Sequence, residues 1–87
     1  MQAQLQGLAA PSAKDVPSRL WAAPGVIDRT VFEVKKQNDW YEKAGQPWHI
    51  SKERSGAPHG GSAWKLDNPE NVRIATLASD GKVLRWG

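Results

Sequence analysis

Through most of the second half of the chain, apolar and polar residues alternate with a period of two, the spacing that sends successive side chains to opposite faces of a sheet. Residues 48–51, 63–66, 72–77 and 83–86 read as short extended stretches of this kind. Ser79, Asp80 and Gly81 separate the last two, and Asp-Gly between alternating apolar runs predicts a tight hairpin. Upstream, the run Val31, Phe32, Glu33, Val34 has the alternation and β-branched content of a strand over 30–35. Residues 38–44 predict a single helical turn, which Gly45 and Pro47 then stop. The class expected is α+β, mostly β: a small twisted antiparallel sheet of four to five short strands with a short N-terminal helix or tether.

The first 25 residues are different in kind. They are rich in Ala, Gln, Pro and Ser, with Pro11, Pro17 and Pro24 interrupting any long element. They read as a partly ordered linker or tether, with at most a short helix around 20–23. Residues 26–87 then form the folded, catalytic domain, about 60 residues, a size at which one hydrophobic core is marginal without help.

Composition narrows the classes of function. The chain has no cysteine, which removes disulfides, thiolate metal sites and thiol redox chemistry, and fits a protein that works in a reducing compartment or refolds unaided after crossing a membrane. No apolar run approaches the ~18 residues of a membrane span, and residues 1–10 lack the basic start and apolar stretch of a signal peptide. Twelve Lys and Arg against nine Asp and Glu give a net charge of +3, and the distribution matters more than the sum. From Lys43 to Lys65 the chain carries four cations, one anion and both histidines, whereas Asp67 to Asp80 carries three acids and one arginine. A basic segment of this kind is either a solvated face or a contact for phosphate.

The candidate chemistry lies in that basic segment. His59 sits in Ala57-Pro-His-Gly-Gly-Ser-Ala-Trp-Lys65, where a histidine that titrates near neutrality is followed by glycine N–H groups able to cradle an anion. In Trp48-His-Ile-Ser-Lys-Glu-Arg54, strand periodicity puts His49, Ser51 and Glu53 on one face and Trp48, Ile50 and Lys52 on the other. Cleaving RNA by transesterification requires a base for the 2′-hydroxyl proton, an acid for the leaving oxygen and cations for the phosphorane. His59, with His49 or Glu53 as the second proton-transfer group and Lys65, Arg73 or Arg54 as cations, supplies that set without metal or other cofactor. Lys52, Arg54, Gly60, Gly61, Ser62 and Trp64 are the expected RNA contacts. Trp48, Trp64 and Trp86 each stand beside a His, Lys or Arg, an arrangement that serves base stacking or, in so small a core, packing. The two histidines, ten residues apart and without cysteine, do not match metal-ligand spacing.

Pro58-His-Gly-Gly-Ser-Ala-Trp-Lys-Leu66 followed by Arg73-Ile-Ala-Thr-Leu-Ala-Ser-Asp-Gly-Lys-Val-Leu84 resembles the C-terminal toxin domains of bacterial polymorphic and contact-dependent growth inhibition systems, over roughly residues 46–87. The resemblance implies a domain secreted as the end of a larger effector, acting on nucleic acid in the cytoplasm of a neighbouring cell and neutralised by an immunity protein, here an acidic one to match the basic loop. The ribosome-inactivating colicin ribonucleases are more loosely similar. They flank the histidine with an aspartate and a glutamate, where this chain has Gly56 and Ala63, so only His59 carries over. The expectation is a metal-independent ribonuclease toxin cutting tRNA or rRNA, and the alternative is a non-catalytic RNA- or protein-binding module.

Overall fold

The computed structural model describes residues 10–43, 48–52 and 62–87, with the backbone alone of Ser62. Two 3-10 turns, Ala13–Asp15 and Ser18–Leu20, lead into a hairpin of β1 (Trp21–Ala23) and β2 (Val26–Ile27). Its two-residue connection is Pro24-Gly25, and Gly25 takes φ +78°, the left-handed geometry a turn with proline first requires of its second residue. The expected domain boundary at residue 25 therefore falls inside this hairpin.

A third 3-10 turn, Arg29–Val31, takes the first two residues of the predicted 30–35 strand. The Asp28 carboxylate accepts from the Thr30 backbone N–H at 3.0 Å and from the Thr30 hydroxyl, a local cap that outcompetes the β-propensity of Val31 and Phe32. Extended structure begins at β3 (Val34–Lys36) and continues through β4 (Asp39–Tyr41), β5 (His49–Lys52), β6 (Ser62–Asp67), β7 (Arg73–Ala78) and β8 (Val83–Trp86). These form one six-stranded antiparallel sheet in sequence order. The protein is mostly β, as expected, but the four to five strands become six plus a two-stranded hairpin, and no α-helix occurs among the described residues. The helical turn predicted to start at Asn38 is replaced by β4, whose Trp40 and Tyr41 pack across strands instead. Among the described residues no helix is long and apolar enough to cross a membrane.

Cross-strand register divides the sheet into two faces. Trp40, Ile50, Leu66, Ala75 and Trp86 stand in one row, and Trp64, Leu77 and Val83 in the next row on the same side. This apolar face is covered by the N-terminal segment, from which Val16, Leu20, Ile27 and Phe32 join the buried core. Leu20, expected in a tether, is fully buried. The Ile27 N–H donates to the Gly81 carbonyl at 2.8 Å and the Val83 N–H to the Gly25 carbonyl at 2.9 Å, so the first hairpin is bolted to the β7–β8 turn. Gly81 holds φ +97°, and a Cβ there would lie 2.1 Å from the Ile27 carbonyl oxygen, so this close approach admits only glycine.

Candidate functional site

The opposite face of the sheet is polar. Lys36, Asp39, Ser51, Lys65, Thr76 and Arg85 are successive cross-strand partners from β3 to β8, a row that crosses all six strands. The neighbouring row is Val34, Tyr41, His49, Asp67 and Arg73. Strands are spaced about 4.8 Å apart, so side chains in one row are in reach of their neighbours.

Where the β3–β4 turn meets the end of β5, the surface is hollowed into a concavity of about 640 Å³, inside the ~300–1,000 Å³ range of small-molecule sites. Its β5–β6 wall carries Ser51, Lys52 and Lys65. Its β3–β4 wall carries Gln37, Asn38 and Asp39, with Trp40 beside them. The turn is the tight two-residue type, with Gln37 at φ +58° and its carbonyl accepting from the Lys35 ammonium at 2.7 Å. Among the described residues, the side chains of Asp39, Ser51, Lys52 and Lys65 make no hydrogen bond or ion pair. The hollow thus holds two uncommitted cations and one uncommitted carboxylate, an arrangement that attracts an anion and leaves one acceptor to read its neutral part.

The expected site residues divide. Lys52 and Lys65 line the concavity, Lys65 from the polar row and Lys52, at the end of β5, from the row of Trp64, the face opposite Ser51 that alternation predicts. Arg73 is exposed on the polar face directly across from Asp67, outside the hollow. His49 is buried, with 4% of its surface exposed, its Nε2 3.4 Å from an Asp67 carboxylate oxygen and its ring stacked on Tyr41 with centroids 4.5 Å apart. Register agrees with the predicted face for His49 and Ser51, but His49 does not line the concavity; it is held between Tyr41 and Asp67 within its row. Trp64 stands on the apolar face, edge-on to Trp40 at 5.5 Å and covered by the Arg29 guanidinium at 5.9 Å, so packing accounts for it. Glu53, Arg54, His59, Gly60 and Gly61, and the side chain of Ser62, lie outside the described residues. Glu53 and Arg54 follow directly on Lys52, which is itself a wall of the hollow.

Sequence reasoning missed Gln37, Asn38, Asp39 and Trp40. The available signal was the polar Gln37-Asn38-Asp39 run between Lys36 and Trp40, which is turn chemistry rather than a helix start.

A second charged centre lies on the apolar side, where the Arg19 guanidinium meets Glu42 through two hydrogen bonds of 2.8 and 3.1 Å. The Trp48 backbone N–H donates to the same carboxylate at 3.3 Å. The hydrogen bond to Glu42 raises Arg19 above the ordinary guanidinium range, against a smaller opposing effect of burial. This pair ties the N-terminal segment to the sheet.

Comparison of the chain with protein-family models, with curated proteins and with solved structures finds no match.

Proposed function

We propose that this chain is a ribonuclease domain of the toxin type, which seats an RNA phosphate in the concavity between β4, β5 and β6 and cleaves the strand by metal-independent transesterification. The observation that carries the reading is the pairing, in one hollow, of Lys52 and Lys65 with no acid partner for either among the described residues. Two cations so placed lower the energy of the doubly charged phosphorane more than that of the singly charged phosphodiester, which is the requirement for catalysis. His59 supplies proton transfer from the segment that follows Lys52. The 2′-oxygen attacks phosphorus, its proton goes to a base, the 5′-oxygen leaves with a proton from an acid, and a 2′,3′-cyclic phosphate remains. In the biological setting implied by the sequence resemblance, the domain is secreted within a larger effector, acts in the cytoplasm of the target cell and is neutralised by an acidic immunity protein over the Lys52–Lys65 surface.

The burial of His49 favours a second reading. With that histidine committed to Tyr41 and Asp67, the described residues of the hollow include no histidine, and a domain that binds RNA without cutting it needs none. Incubating the purified chain with total cellular RNA in the presence of a chelator separates the two. Discrete fragments ending in cyclic phosphate, lost by about 10² to 10⁴ in rate on His59→Ala, support the enzyme. RNA that is bound and recovered intact assigns the chain to the binding class.

A further inference from the structure

The two walls of the concavity differ in chemistry, and the difference has the layout of a nucleotide. The β5–β6 side is lined by Lys52, Lys65 and Ser51. The β3–β4 side is lined by Gln37, Asn38 and Asp39. Trp40 borders the hollow from β4, while its ring packs on the apolar face against the edge of Trp64 at 5.5 Å, with the Lys35 ammonium 5.1 Å from its centroid. A phosphate belongs at the cationic wall and a base at the amide and carboxylate wall.

The carboxylate selects among bases. An ionised Asp is acceptor-only and offers two oxygens side by side. Guanine presents two adjacent donors, N1–H and the N2 amino group, on its Watson–Crick edge. Adenine places the N1 lone pair beside its amino group, and cytosine the N3 lone pair, so a carboxylate facing either meets repulsion at one oxygen. Uracil presents a single donor flanked by two carbonyls. Only guanine satisfies both oxygens, and its O6 then faces a donor such as the Asn38 amide. Asp39 also has no side-chain partner among the described residues, so it is not consumed by the fold.

We propose that the concavity is a guanine-nucleotide subsite, in which Asp39 reads the N1–H and N2 amino edge of an unpaired guanosine while Lys52 and Lys65 hold its phosphate. This rests on the reading of the hollow as an RNA phosphate site and names the nucleotide that site takes. The base must be unpaired, because the edge that Asp39 reads is the one used in base pairing. The subsite therefore selects loops, bulges and single strands.

Titration calorimetry of the full 87-residue chain with GMP, AMP, CMP and UMP tests it directly, since mononucleotides offer nothing to cleave. GMP is expected to bind about tenfold or more tighter than the other three, the discrimination of one good bidentate pair. Asp39→Asn, shown folded by its circular dichroism and melting, should reduce GMP to the affinity of AMP while AMP is unchanged. Trp40→Phe, which keeps a ring, should retain the preference. Equal binding of the four nucleotides by the parent overturns the proposal, as does a GMP preference that survives Asp39→Asn. The ribonuclease reading fails separately: GMP preference with no RNA cleaved leaves the subsite standing and removes the enzyme, whereas cleavage without preference for guanosine removes the subsite alone.

Discussion

Replacing Lys52 and Lys65 by glutamine, singly and together, puts a number on the phosphate site. Neither ammonium has an acid partner or covers an aromatic ring among the described residues, so the substitutions remove charge without breaking a structural contact. Each phosphate contact to a single strand contributes about 0.7 to the slope of log K against log salt, through release of a condensed counterion. At about 0.1 M salt, taking 1 M as the reference where this contribution vanishes, one contact is worth about 0.7 log unit, or fivefold in affinity. Two contacts are worth about 25-fold, close to 2 kcal/mol. Lys65 is half-buried and Lys52 exposed, so the loss should fall more heavily on Lys65, whose charge is less screened. The assay is fluorescence anisotropy with an oligonucleotide carrying 2′-O-methyl groups, which cannot be cleaved, from about 50 to 400 mM salt, a range over which contacts of this kind change affinity steeply. The single variants should flatten the slope by about 0.7 each and the double by about 1.4, with unchanged melting temperatures. Lys14→Gln, an exposed residue of the first 3-10 turn, serves as the control for net charge. A double variant with the parental slope would place RNA elsewhere and end the case for this hollow.

Three further outcomes concern the scaffold. Gly81→Ala forces a Cβ toward the Ile27 carbonyl oxygen and strains a positive φ; loss of the Ile27 hydrogen bond adds to this, and a destabilisation of at least about 3 kcal/mol should appear as a greatly lowered denaturation midpoint. Thr76→Val removes a fully buried hydroxyl that has no hydrogen-bond partner among the described residues, keeps the side-chain shape, and should raise stability by about 1 kcal/mol in urea unfolding; a loss of stability would mean the hydroxyl is satisfied. Arg19→Gln leaves the buried Glu42 carboxylate with the Trp48 N–H as its one partner among the described residues, for a loss of about 1 kcal/mol once the half-exposed guanidinium is discounted for screening. Because Glu42 raises Arg19 above the guanidinium range, the cation's contribution is complete at every pH below that range and is lost only in strong alkali. Urea midpoints of parent and Arg19→Gln should therefore stay a constant distance apart from neutral pH up to moderately alkaline pH.

The second half of the fold was legible because its information is local. Asp80-Gly81 specifies its own turn, and β5, β6, β7 and β8 each overlap a stretch that alternation marks. The first half was not, because its structure depends on partners distant in sequence. Val16, Leu20 and Ile27 are too sparse to show a period, and they are buried only because the sheet offers an apolar face to cover. The prolines that suggested a tether instead sit in connections: Pro17 opens the second 3-10 turn and Pro24 shapes the β1–β2 turn. In the same way, alternation put His49 on the polar face but could not give its depth, which Tyr41 and Asp67 set from two neighbouring strands. The concavity depends on register, and no stretch of sequence shorter than Gln37 to Lys65 contains its lining.

Six described cations, Lys14, Lys52, Lys65, Arg73, Lys82 and Arg85, have no carboxylate or ring partner among the described residues, and of these Lys52 and Lys65 line the hollow. Arg19 satisfies Glu42, Lys43 lies 3.9 Å from Glu33, and Arg29, Lys35 and Lys36 cover Trp64, Trp40 and Tyr41. Each of these has something on the protein to attract it. Lys52 and Lys65 come to the hollow from consecutive rungs of one ladder, since Ser51 pairs with Lys65 and Lys52 with Trp64. A phosphate held between them binds the folded chain and not the unfolded one, so binding and folding are linked. Inorganic phosphate or GMP should therefore raise the melting temperature of the parent and leave that of the double glutamine variant unchanged.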